Sequence, residues 1–193
     1  MQRRELLQLI AATTGWAFIG GKAFAWGTPP AASNLVEAGF TAKDITFLDE
    51  IAETIIPKSD TPGAKDAKVG NCMAVMVTDC YSNQQRAVFE SGMQSLSKLS
   101  KKTYQQPFVR LNAQQRKTLL SELDQQANEY NRQLQHKGDV DALPHYFTLM
   151  KQLTLFGFFT SKPGATQVLR YVGIPGRYDG NMPYKKGDRA WAT

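Results

Sequence analysis

Two histidines, two cysteines and a scatter of carboxylates are the side chains from which this chain would have to build reactive chemistry. A zinc or iron site needs several nitrogen, sulfur or carboxylate ligands converging on one point. His136 closes one polar, helix-like stretch and His145 follows Pro144 at the start of the next. Neither has a second His or Cys at ligand spacing, and the C-x-x-C-H pattern of attached haem does not occur. Dinucleotide binding calls for a Gly-rich turn between a strand and a helix, whereas the one Gly-x-x-Gly spacing of that kind lies in the C-terminal tail with no strand before it. A nucleophile needs a base and an orienting acid. Cys72 and Cys80 instead fall on an apolar stripe, where a thiol's pKa rises and its reactivity falls. Asp49 and Glu53, four apart on a helix, read as a solvated face rather than an acid–base couple. No catalytic, cofactor-binding or metal-ligating residue is assigned.

The element that must position the cysteines constrains what they do. The stretch from Val69 to Cys80 puts Val69, Cys72, Met73, Met76 and Cys80 at helical spacing. Eight residues of continuous helix separate the two Cα atoms by about 12 Å, while a disulfide needs less than about 7 Å. A continuous helix leaves two readings, a bridge to another chain or two small buried thiols; a broken helix would allow a local bridge.

The N-terminus sets the compartment in which those thiols are expected to sit. MQRRELLQLIAATTGWAFIGGKAFAW places Arg3 and Arg4 before a modestly apolar run, with the small-x-small triplet Ala23-Phe24-Ala25 after it. Basic region, apolar region and cleavage triplet together read as an export signal, and the paired arginines indicate the twin-arginine route, which moves folded proteins. The apolar run is about 13–16 residues long, short of the ~20 a membrane span requires. Removing residues 1–25 leaves 168 of 193 residues and lowers the formal charge from +6 to +4. That is one ordinary domain, with no nucleic-acid footprint and no second apolar span; any membrane association is expected to be indirect. The oxidising compartment beyond the membrane favours disulfides.

Residues 26–39 form a Pro/Gly/Ser-rich linker. A helical domain over 40–173 follows, with about six helices and no strand alternation, so the fold class is all-α. Capping boxes open helices at Thr41–Asp44 and Ser82–Gln85, and Asn112–Gln115 starts a long polar helix. The cysteine helix is expected from about Asp66 to Tyr81, and a short amphipathic helix carrying Val168, Leu169 and Val172 follows Ser161. Residues 146–159 are apolar nearly all round, with one charge, Lys151. Such a helix lies at the centre of a core or is covered by something else. The irregular tail 174–193 carries Tyr178, Tyr184 and Trp191, and aromatics in an extended arm either wrap their own domain or lie along a partner. With Phe156, Phe158 and Phe159 they form the candidate partner interface.

In order, segments 47–57 (FLDEIAETIIP), 60–67 (DTPGAKDA), 78–82 (TDCYS), 85–92 (QRAVFESG), 108–111 (FVRL), 153–161 (LTLFGFFTS) and 171–180 (YVGIPGRYDG) make the chain similar to the small subunit, subunit 3, of flavin-dependent gluconate 2-dehydrogenase and related membrane-bound sugar and polyol dehydrogenases. The resemblance covers about residues 40–185. It implies a non-catalytic subunit that carries the twin-arginine signal and supports folding, maturation and translocation of a large FAD-bearing catalytic subunit. It further implies a multihaem cytochrome c subunit that accepts electrons at the periplasmic face of the inner membrane, and the twin-arginine translocase as a partner. FAD and haem c are expected in those partners, not in this chain. Some relatives are joined to the large subunit by a disulfide, for which Cys72 and Cys80 are the candidates here. The alternative is a stand-alone exported enzyme or ligand-binding protein with an unrecognised pocket.

Overall fold

The computed structural model describes residues 39–137, 142–174, 176 and 180–192. Arg3, Arg4, Ala23, Ala25, Tyr178 and nearly all of the linker lie outside the described residues. The described chain forms α1 (Ala42–Ile55), α2 (Val69–Asp79), α3 (Asn83–Tyr104), a 3-10 turn (Phe108–Arg110), α4 (Ala113–Lys137), α5 (Tyr146–Phe159) and a π-helical turn (Gly164–Val168). The fold is all-α, and the π-helical turn stands in place of the short amphipathic helix expected after Ser161. Its chain then bends at Leu169, so Val172 lies outside any helix and is exposed.

Local capping explains three helix starts. Thr41 Oγ1 accepts from Asp44 N while Asp44 Oδ2 accepts from Thr41 N at 2.8 Å. Ser82 and Gln85 repeat the exchange, and Asn112 Oδ1 and Gln115 Oε1 do the same for α4. Each box satisfies amide groups that the first turn leaves without an intrahelical partner.

Helix α2 begins later than the periodicity implies, at Val69 rather than Asp66, because Lys68 takes a left-handed conformation with φ 53°. No side chain of its own caps it. Asp49 of α1 reaches across instead, and Gly70 N donates to its Oδ1 at 2.8 Å. Glycine is required there, since a Cβ on Gly70 would lie 2.6 Å from that carboxylate oxygen and 2.8 Å from Ile45 O.

Helix α5 runs through the middle, touching α1, α2, α3 and α4. Phe147, Leu149, Met150, Leu153 and Phe158 bury their side chains in the common core beside Leu48, Ile51, Met73, Phe89, Leu96, Leu119 and Leu123. Two glycines permit the close approaches: a Cβ on Gly92 would fall 2.4 Å from the Tyr146 ring, and one on Gly157 3.1 Å from Cys72 Sγ. Lys151, the helix's one charge, pairs with Asp124 of α4 at 2.6 Å. No helix among the described residues is long and apolar enough to cross a membrane.

Candidate partner interface

Helix α5 has more apolar side chains than a core-facing stripe can absorb. Its inner face takes positions 147, 150, 153, 154, 157 and 158. The remaining apolar residues of its last turns, Leu155, Phe156 and Phe159, stand 42%, 49% and 39% exposed. Positions three and four apart on a helix share a face, so the three form one outward patch. Large exposed apolar groups gathered in this way mark interaction surfaces. Phe158 is corrected by the structure: at 2% exposure it is a core residue, edge-on to the Phe159 ring at 5.2 Å, and presents nothing to a partner.

Beyond the π-helical turn the chain leaves the core and returns. Arg170 N donates to Ala190 O at 2.8 Å and Ala192 N to Arg170 O at 3.0 Å, a single parallel bridge that brings Trp191 beside Arg170. The Arg170 guanidinium lies 4.5 Å from the Trp191 ring centroid, within the range of a cation–π contact. Arg189 Nη1 adds a bond to Gln167 O at 2.9 Å. The end of the tail is thus latched to its own chain, while Ile174 (87% exposed) and Tyr184 (78%) project from the loop it closes. Trp191 keeps an exposed face. No local sequence signal foretells a latch between positions so far apart.

The cysteines occupy different environments. Helix α2 is continuous through Cys72, and Cys80 is its C-cap residue. Cys72 is half-buried against Gly157, and burial pushes its thiol pKa up, with the nearby Cys80 adding to the shift. Cys80 leaves the stripe assigned to it: the core face of α2 is Val69, Gly70, Met73, Ala74 and Val77, and the helix ends before Cys80 could join them. It is exposed, its Sγ 3.9 Å from Met76 Sδ.

Asp49 and Glu53 also differ from the solvated face assigned to them. Together with Glu50 they are partly buried, and they organise the loop between α1 and α2. Glu53 accepts from Lys58 N and Lys65 N, each at 2.9 Å. Glu50 accepts from Lys65 Nζ at 2.6 Å and from Arg116 Nη1. Burial raises the Asp49 carboxyl above its ordinary range, against the lowering effect of the Gly70 amide and Lys65. Acids at three positions of α1 just before a Pro- and Gly-bearing turn were the available signal: such a loop has amides to satisfy.

His145 is the N-cap of α5, its Nδ1 accepting from Phe147 N at 3.3 Å. Its ring sits between Tyr130 and Tyr146, with centroids at 5.7 and 4.2 Å. Burial holds the imidazole below its ordinary pKa of 6.5, so the unfolded chain binds this proton at higher pH than the folded one. The stability contributed by the neutral ring is therefore complete above pH 6.5 and is lost as pH falls through the lowered value. A cap of this kind contributes on the order of 1 kcal/mol. His145→Asn, which keeps an N-cap acceptor without titrating, is expected to flatten the fall in Tm between about pH 7 and pH 5. An unchanged slope would show that another group controls it. No group of three or more potential metal-ligating side chains occurs among the described residues.

Compared with known protein families, residues 42–176 match the model of gluconate 2-dehydrogenase subunit 3. The chain belongs to that family. No curated protein and no solved structure matches it. The matched span of this subunit 3 family member runs from the first turn of α1 to the exposed stretch beyond Arg170, and so includes both the α5 patch and one side of the latch. A chain of this family is an accessory, subunit-type component, and a subunit implies partners.

Proposed function

We propose that the chain is the non-catalytic small subunit of a periplasmic flavin-dependent dehydrogenase of the gluconate type, acting on a sugar or polyol. In this reading it carries the twin-arginine signal at Arg3 and Arg4, with cleavage after Ala23-Phe24-Ala25, and supports folding, maturation and translocation of the FAD-bearing large subunit. A multihaem cytochrome c subunit then takes the electrons at the periplasmic face of the inner membrane. The observation that carries the proposal is the aromatic patch of α5, an apolar surface left open on a helix whose other face fills the core. The large subunit docks there, with Ile174, Tyr184 and Trp191 extending the contact. Cys80 is the better placed of the two thiols for an intersubunit disulfide, because a disulfide partner must reach the sulfur.

Replacing both arginines, Arg3→Lys with Arg4→Lys, tests the carrier role. Fractionation is expected to find both this chain and its flavoprotein in the cytoplasm. Retention of this chain alone, with the flavoprotein still exported, would overturn the carrier role. Pull-down from periplasmic extract with mass identification names the partner.

A further inference from the structure

A second surface, on the side of the molecule built by α1 and α3, is independent of the α5 patch. The first turns of α1 and the C-terminal half of α3 leave between them an open groove of about 540 Å³. Phe47, Met93, Pro107 and Val109 give it an apolar lining. This lining is held in place. Phe47 packs edge-on to the buried Phe108 at 5.6 Å, and Ser100 Oγ donates to Gln106 O at 2.7 Å, fixing the turn that presents Pro107.

Lys43, Lys98 and Lys101 stand along the groove, all exposed. Among the described residues none of the three forms an ion pair, and the groove's single carboxylate, Asp44, is already engaged by Thr41 N and Thr41 Oγ1. Helix electrostatics account for Lys101, which lies in the last turn of α3 where a cation is favourable. They do not account for Lys43, which sits in the first turn of α1, at the positive end of the helix dipole. A lysine there opposes the local field, and with Lys98 and Lys101 it gives the apolar channel three cations against the single Asp44 carboxylate, a net excess of positive charge.

We infer that this groove docks an acidic amphipathic segment of a partner protein, its apolar side chains on Phe47, Met93, Pro107 and Val109 and its carboxylates on Lys43, Lys98 and Lys101. The charge asks for carboxylates and the lining asks for apolar anchors between them; recessed apolar contacts with a charged rim are how such segments are held. The inference requires neither the α5 patch nor the dehydrogenase reading.

Fluorescence polarisation with the purified full-length chain tests it, using a labelled peptide with aromatic anchors one helical turn apart among Asp and Glu. The acidic peptide is expected to bind, to weaken with added salt, and to lose binding when its acids become Asn and Gln. Lys98→Glu with Lys101→Glu is expected to weaken it at least about tenfold, and Val109→Asp to do likewise. The charge-matched control Lys185→Glu with Lys186→Glu, in the exposed tail, is expected to leave it unchanged. If the double glutamate variant misfolds, Lys98→Ala with Lys101→Ala takes its place. Equal loss in the tail control, or no binding of the acidic peptide, overturns the inference. So does lysine-dependent binding to phosphatidylglycerol vesicles without binding to the peptide.

Discussion

Glu50→Ala is expected to cost about 3–5 kcal/mol of stability, read from the denaturant midpoint, because it removes one member of a largely buried ion pair. The Glu50 side chain is 13% exposed and that of Arg116 18%. Arg116 lies with its guanidinium carbon 5.9 Å from the Phe108 ring centroid and Nη2 3.2 Å from Val109 O, while its Nε is buried with no partner. Without Glu50 that largely buried cation loses its ion-pair partner. The loop loses a tie as well, since Lys65 Nζ also bonds Glu50. The double variant Glu50→Met with Arg116→Met separates charge from packing: replacing a buried pair by apolar side chains of similar size is often near neutral, so it is expected to be more stable than Glu50→Ala. A loss below about 1 kcal/mol in the single variant would mean that water screens the pair as it screens a surface one.

If the α5 patch docks the large flavoprotein subunit as proposed, Phe156→Ser with Phe159→Ser is expected to abolish that association while leaving this chain folded. Central aromatic side chains of an interface are each worth about 2 kcal/mol or more, so losing two weakens binding roughly a thousandfold. Both rings are substantially exposed, and only Phe159 makes a ring contact with the core, through Phe158. Thermal unfolding should therefore shift little. The comparison is Phe158→Ser, which opens a cavity at a fully packed position and is expected to lose the fold first. Co-purification of the double variant at wild-type yield would exclude the α5 patch as the docking surface.

Much of this architecture follows from short-range rules legible in the chain. The capping exchanges act within four residues, so Thr41, Ser82 and Asn112 each mark a helix start where the structure has one. Leu48 and Ile51, Phe89 and Leu96, and Leu119 and Leu123 recur at helical spacings of three, seven and four, and all six are in the core. For α5 periodicity was silent, because almost every position is apolar: composition separates neither Phe156 from Phe158 nor surface from core. Packing against α1–α4 makes that division, leaving two of the three aromatics outside.

What the sequence determined by itself is therefore the all-α class, three of the helix starts and the family, each encoded in contacts of neighbouring residues or in an ordered set of motifs. Tertiary structure alone decided which acids became loop ties, that Asp49 caps a helix not its own, that Cys80 faces solvent while Cys72 does not, and that Trp191 folds back on Arg170. Those outcomes depend on side chains brought together from distant points in the chain. Such meetings are set by how the helices pack, and local propensity carries no record of them.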